Sequence, residues 1–86
     1  MKKLTDETAS RKVYDVAINR FNRCHKLWLG DVAMMKVQTS DYLDLLKIAN
    51  LINAGELIGA MKKIYELDTE VRDEIPDDVW NYCDKI

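Results

Sequence analysis

Cys24 and His25 form the first candidate for chemistry in the chain, because a thiolate and an imidazole can bind zinc or act as nucleophile and base. Zinc needs about four ligands at motif spacing, and the sequence has one further cysteine, Cys83, far along the chain. Neighbouring helix positions also point roughly 100° apart, so the two side chains do not converge. We therefore predict a packed Cys24, a His25 at the rim of the fold, and no metal or cofactor.

Two pairs of neighbouring carboxylates, Asp73/Glu74 and Asp77/Asp78, are the next candidates. Hydrolysis of a glycosidic bond needs two carboxylates that face each other across a cleft. These pairs are sequence neighbours beside a helix start, where negative charge stabilises the helix. The three glycines stand alone at positions 30, 55 and 59, so there is no glycine-rich phosphate loop. We expect a protein with no catalytic residues, and hence not an enzyme.

Aromatic, methionine and basic side chains are more promising, because they favour binding over catalysis. Seven aromatic residues are more than a bundle of this length buries fully, and methionine adapts to varied partners. The alternative interpretation is that these residues fill the core and its margins. The predicted partner-binding residues are Arg11, Tyr14, Arg20, Arg23, Lys26, Trp28, Met34, Met35, Tyr65 and Trp80.

Helices must position these side chains, because three glycines and one proline are too few turn residues for an all-β fold. A composition of 48% hydrophobic and 33% charged residues is that of an ordinary globular domain. No apolar stretch approaches the roughly 18 to 20 residues that span a bilayer. Polar residues follow Lys2 and Lys3 where a signal peptide would be apolar. The sequence predicts a single all-α domain over residues 1–86, a small bundle of about four helices, located in the cytoplasm without membrane contact.

The first helix is predicted over residues 6–29, with Thr5 or Asp6 as its N-cap. Gly30 is its expected stop, because glycine adopts the left-handed conformation at little cost. Polar residues, Arg20 and Arg23 among them, are expected on the outer side. The inward face has steps of four and three residues and holds Ala9, Val13, Ala17, Phe21, Cys24 and Trp28.

The segment 31–38, "DVAMMKVQ", has no clear period, so a short helix and an extended segment both remain open. In either case we expect its apolar residues, Val32 and Val37 among them, to cover the core. Thr39 or Ser40 is predicted to cap a second helix that ends near Asn53. This helix is rich in Leu and Ile, so we expect it to be central and the most buried.

A tight central helix hairpin is predicted over residues 52–68, with its turn at Gly55 and a third helix over about 56–67. The spacing of Gly55, Leu57, Ala60 and Ile64 resembles the middle of a single tetratricopeptide repeat. That resemblance implies two antiparallel helices in close contact. The chain lacks that family's aromatic residue, its closing proline and a second repeat, so no function is transferred from it. A further turn carrying Val71 and Ile75, then a last helix starting at Pro76, complete the prediction.

We expect a non-enzymatic protein-binding module that docks on a larger protein, with a small homo-oligomer as another way to present such a face. In size and composition the chain looks like the small accessory proteins of tailed bacteriophages, which modulate or inhibit host factors. The alternative is a nucleic-acid or nucleotide binder that uses the basic first helix. Charge is uneven, since residues 1–47 carry nine basic and six acidic residues and residues 48–86 carry four and nine. The acidic second part argues against nucleic acid.

Overall fold

Five helices make up most of residues 4–27 and 29–84, which are the residues that the computed structural model describes. The helices are α1 (Asp6–His25), α2 (Val32–Asn53), α3 (Leu57–Glu66), α4 (Thr69–Arg72) and α5 (Asp77–Cys83). No strand occurs within these two ranges. The predicted all-α bundle of about four helices is confirmed, since α4 is a single turn.

Helix α1 begins where the sequence predicts and ends earlier. The Thr5 hydroxyl accepts a hydrogen bond from the Thr8 N–H at 3.2 Å, and the Thr8 hydroxyl accepts one from the Thr5 N–H at 2.7 Å. This reciprocal pair is a capping box, which satisfies two backbone donors at the helix start. Gly30 does adopt the left-handed conformation, with φ of 94°, but it lies in the loop that reverses the chain. The helix must end before that loop, so α1 stops at His25 rather than near residue 29.

Helix α2 is continuous from Val32, so the segment left open by the sequence is helical. Asp31 is its N-cap and accepts a hydrogen bond from the Met34 N–H at 3.1 Å. The predicted cap at Thr39 or Ser40 is wrong, because both residues lie inside the helix. The Thr39 hydroxyl donates to the carbonyl of Met35, one turn earlier, at 2.8 Å. That bond satisfies the hydroxyl without breaking the helix.

The predicted hairpin between α2 and α3 is confirmed, with Gly55 at its turn. Gly55 has φ of 81°, and its N–H donates to the Ile52 carbonyl at 2.9 Å. The Glu56 N–H donates to the Leu51 carbonyl at 2.9 Å. These two bonds form a Schellman motif, which satisfies the last carbonyls of a helix through a left-handed residue. The turn therefore sets α3 back against α2.

The last elements follow the prediction closely. Val71 in α4 and Ile75 after it are both buried, as expected from their spacing. Pro76 is the N-cap of α5 rather than its first helical residue, one position from the prediction. Lys12 Nζ lies 2.7 Å from Asp78 Oδ2, and so α5 packs beside the start of α1. The C-terminal helices thus cover one half of the hairpin that α1 and α2 form.

The buried core lies in that covered half. Among the described residues between Ala17 and Leu45, none belongs to the buried apolar cluster. The predicted burial of α2 is therefore only partly right, since Leu43 is 50% exposed. The cluster consists of Ala9, Val13, Ala17, Leu45, Ile48, Ala49, Ile52, Ala60, Ile64, Leu67, Val71, Ile75, Val79 and Cys83.

The molecule is elongated along the hairpin, with extents of 42 × 24 × 20 Å. Its radius of gyration is 13.1 Å, against about 12 Å for a compact chain of this length. We call residues 4–24 and 38–84 the base, and residues 25–27 and 29–37 the hairpin tip. The base has α3, α4 and α5 packed on the hairpin, whereas the tip consists of the ends of α1 and α2 and their loop.

Candidate docking surface at the hairpin tip

Large apolar side chains of the hairpin tip face solvent. Leu27 is 75% exposed, Leu29 69%, Val32 68% and Val37 47%. The prediction that Val32 and Val37 cover the core is wrong, because the helices that complete the core pack on the base. Scattered exposed apolar residues are ordinary, but a concentration at one end of a molecule is typical of an interaction site.

Two of the predicted partner-binding residues, Met34 and Met35, lie at this tip and are half-buried. Their flexible thioether side chains can adjust to the shape of a partner without rearranging the backbone. Together with the exposed leucines and valines they make the end of the hairpin apolar on both helices.

The charges around the tip are mainly positive. Lys26 follows the end of α1 and Lys36 lies in the second turn of α2, and both are exposed. The carboxylate of Asp31 is already used as the N-cap of α2. The tip is therefore an apolar end with one lysine just after α1 and one in α2, which favours a partner with acidic groups around an apolar groove.

Four side chains hold the tip helices together where they leave the base. Gln38 is buried, and its Nε2 donates to the Phe21 carbonyl at 2.8 Å. The Phe21 ring stacks on His25 with centroids 5.4 Å apart and contacts Tyr42 at 5.1 Å. His25 is half-buried, and among the described residues its Nδ1 has no hydrogen-bond partner. These contacts hold α1 and α2 together at the point where the tip begins.

Arg20 lies inside the base, and the prediction that it belongs to the polar face of α1 is wrong. It is 8% exposed, with Nη1 3.5 Å from Asp41 Oδ2 and Nε 3.0 Å from Glu74 Oε2. Arg23 contacts the other oxygen of Glu74 from the surface. Burial raises the pKa of the Asp41 carboxyl, and the Arg20 guanidinium opposes that rise. These groups join α1, α2 and the segment between α4 and α5.

All four Lys and Arg side chains of α1 lie against carboxylates. Besides Arg20 and Arg23, Lys12 pairs with Asp78, and Arg11 lies 3.8 Å from Glu7. Binding of phosphates is driven by cations that are free to replace the counterions of the nucleic acid. The basic first helix is therefore largely neutralised within the molecule, which disfavours the nucleic-acid alternative.

The other predicted binding residues lie apart from the tip. Tyr14 is partly exposed in an open groove of about 510 Å³ between α1 and α2, with Arg11 beside it. Tyr65 is exposed on α3 and meets the half-buried Trp80 edge-on at 5.4 Å. Trp28 lies outside the described residues. The structure thus places Lys26, Met34 and Met35 together at the tip, whereas it pairs Tyr14 with Arg11 and Tyr65 with Trp80 at separate places on the base.

The sequence analysis missed the most exposed apolar residues of the tip: Leu27, Leu29, Val32 and Val37. One signal could have found them. The run "LWLGDV" places apolar residues on both sides of Gly30, a position predicted to turn, where solvated loops usually carry polar residues. Leu27 and Leu29 lay within the predicted first helix without being assigned to a face, and Val32 and Val37 were expected to cover the core.

The described residues offer no group of three or more His, Cys, Asp or Glu side chains arranged to hold a metal ion. Both cysteines are buried free thiols, and burial raises the pKa of the Cys83 thiol, which weakens it as a nucleophile at neutral pH. None of the helices in the described part of the chain has the length and apolar character needed to cross a bilayer.

No protein-family model, curated protein or solved structure matches this chain. Its function must therefore be inferred from its own surface. Among the described residues, the three large apolar side chains with the highest exposed fractions all lie at the hairpin tip.

Proposed function

We propose that this protein is a non-enzymatic binding module that docks the hairpin tip into an apolar groove of a larger protein. The observation that supports the proposal is the exposure of Leu27, Leu29 and Val32, each two-thirds or more, at one end of the molecule. Full burial of one such side chain is worth roughly 1.5 to 3 kcal/mol before the cost of association. Three of them contribute roughly 4.5 to 9 kcal/mol before that cost, so the partner must also contact other residues of the tip.

The charges favour a different protein over a second copy as the partner. The tip carries two lysines, Lys26 and Lys36, and one carboxylate, Asp31, so positive charge is in excess there. Two such tips repel each other on balance, whereas acidic residues around a groove attract the tip. The groove must be deep enough to receive the ends of two helices, which requires a larger partner.

A narrower form of the proposal is an accessory or inhibitory role of the kind that small bacteriophage proteins exert on host factors. A hairpin end that fills a groove also prevents other ligands from binding there, so docking alone is sufficient for inhibition. Two free cysteines suit a reducing compartment, so we place this activity in the cytoplasm.

A pair of double variants tests the docking surface. Leu29→Glu/Val32→Glu adds two negative charges to the tip, and Leu43→Glu/Ile58→Glu adds the same charges at exposed apolar positions of the base, which are 50% and 56% exposed. We expect affinity capture from a lysate of the source organism to return one stoichiometric protein with the natural chain and the base variant. The tip variant should lose it. Thermal melts by circular dichroism show that both variants are folded.

Two results would contradict the proposal. One is a partner that the tip variant retains and the base variant loses. The other is a dimer of the natural chain by size-exclusion chromatography with light scattering that the tip variant converts to a monomer, because a second copy would then occupy the tip.

A further inference from the structure

A second surface of the base, distant from the tip, combines an apolar floor with unpaired positive charge. It is a groove of about 290 Å³ between α2 and α3, lined by Lys47, Asn50, Leu51 and Lys63. Leu51 forms its floor and extends beneath α3, where a Cβ added to Gly59 would lie 3.8 Å from the leucine Cδ2.

The two lysines of the groove differ from the basic residues of α1. Among the described residues neither Lys47 nor Lys63 forms an ion pair, and the lining of the groove contains no carboxylate. Lys47 is exposed and Lys63 is half-buried. The groove therefore has two ammonium groups on neighbouring helices and an apolar floor, with no carboxylate in its lining. A ligand that carries a carboxylate next to an apolar group complements such a surface.

We propose that the groove between α2 and α3 binds an acidic segment of a partner protein. One carboxylate of that segment lies between Lys47 and Lys63, and an apolar side chain next to it contacts Leu51. The site goes beyond the tip proposal, because it lies on other residues and needs none of the tip residues.

The size and surroundings of the groove favour a protein segment over other anions. Its volume lies just below the range of about 300 to 1,000 Å³ typical of small-molecule pockets, and it is open, so a side chain of a peptide fits better than a free ligand. Glu66 follows Lys63 by one turn, and Glu56 begins α3. A long polyanion would have to pass these carboxylates, whereas a single acidic side chain would not.

A labelled peptide and two charge-matched variants test this site. The probe is a fluorescein-labelled amphipathic peptide of about four helical turns, built from Leu and Glu, and its binding is followed by fluorescence anisotropy. The variant Lys47→Glu/Lys63→Glu should bind it at least about tenfold more weakly than the natural chain. The control Lys26→Glu/Lys36→Glu changes net charge equally, at the tip, and should bind the peptide nearly as well as the natural chain.

Amide chemical-shift mapping by NMR locates the peptide directly. We expect perturbations at residues 47–51 and 59–63 and no saturable change at residues 29–37. The tip variant Leu29→Glu/Val32→Glu should retain peptide binding, so a failure of the tip proposal leaves this one intact. Lys63→Gln, which preserves most of the side chain, should give an intermediate loss in affinity.

Four outcomes would contradict the proposed site. Two concern the peptide's affinity: no saturable binding at all, or an equal loss of affinity in the groove and tip lysine variants. The other two are chemical-shift changes confined to the tip, and tighter binding of a 20-base-pair DNA duplex than of the peptide in the same groove. Equal melting temperatures of the variants ensure that a loss in affinity is not a loss of folding.

Discussion

The base and the tip of the hairpin are made of the same two helices and carry similar apolar residues, yet they differ in what covers them. In the base, Leu45 and Ile48 are fully enclosed. At the tip, Leu29 and Val32 are more than two-thirds exposed. The difference comes from α3, α4 and α5, which add a further layer to the base alone.

The base and the tip differ in what their apolar residues contribute, which is stability in the base and the proposed binding at the tip. Burial of apolar surface is the main favourable term in folding, so the base supplies most of the stability. The exposed residues of the tip contribute little to the folded state of the isolated chain and are free to contribute to association. Three sets of variants test whether the base alone carries the stability.

Truncation of a core residue should give the largest effect. Ile48→Ala removes a side chain with no exposed surface and leaves a cavity, so we expect the free energy of unfolding to fall by about 2 to 5 kcal/mol. Leu29→Ala at the tip should change it by less than about 0.5 kcal/mol. Urea denaturation measures both values. Comparable losses in the two variants would show that the tip is packed in solution, against the exposure described above.

Removal of the buried guanidinium should give the next largest effect. Arg20→Gln leaves Asp41 without its cation and Glu74 with Arg23 alone, and we expect a loss of about 2 to 3 kcal/mol, less than for fully buried pairs because the Glu74 side chain is 28% exposed. The surface variant Arg23→Gln removes a cation from the same Glu74 and should cost clearly less, because the Arg23 side chain is exposed to solvent. Urea denaturation at neutral pH compares them. Equal costs would mean that Arg20 is not a buried link between the helices.

The smallest effect should come from the hydrogen bond that joins α5 to the start of α1. The Tyr82 hydroxyl donates to Asp6, and this bond, together with burial, raises the pKa of Tyr82 above its ordinary value. Tyr82→Phe should lower the free energy of unfolding by about 1 kcal/mol at neutral pH. The exposed Tyr14 offers a matched control, because Tyr14→Phe should leave it unchanged.

The pH dependence of that difference has a definite sign. The pKa of Tyr82 is higher in the folded than in the unfolded chain, so the stabilisation is complete below the unfolded pKa of about 10. It is lost as the pH rises through the higher folded value. Urea denaturation from about pH 7 to pH 11 should therefore show the natural chain and Tyr82→Phe converging at the alkaline end. A difference that grows with pH would contradict the bond.

Local features of the fold could be predicted from the sequence. The cap at Thr5, the turn at Gly55 and the buried positions Ala9, Val13 and Ala17 all follow from residues within a few positions of one another. The burial of Arg20 could not, because its partners Asp41 and Glu74 are distant in sequence. The local pattern predicts that an arginine on a helix faces solvent, and it is buried only where carboxylates from elsewhere in the chain lie beside it.

The residue types of the candidate binding surface were predicted from the sequence, but its location at the hairpin tip was not. Exposed apolar residues and methionines were expected, and Met34, Met35 and Lys26 do lie at the tip. The most exposed side chains there, Leu27 and Leu29, lay within the predicted first helix and were not among the predicted binding residues. Their exposure depends on where α1 ends and on which helices reach that end, and neither is set by the local pattern.

Local sequence was sufficient for the start of α1 and for the turn between α2 and α3, because hydrogen bonds and backbone preferences act over about four residues. The exposure of the apolar side chains at the tip was set by the tertiary structure. Leucine and valine residues are equally suited to a core and to a contact surface, and the choice between these uses was made by the position of the C-terminal helices on one half of the hairpin.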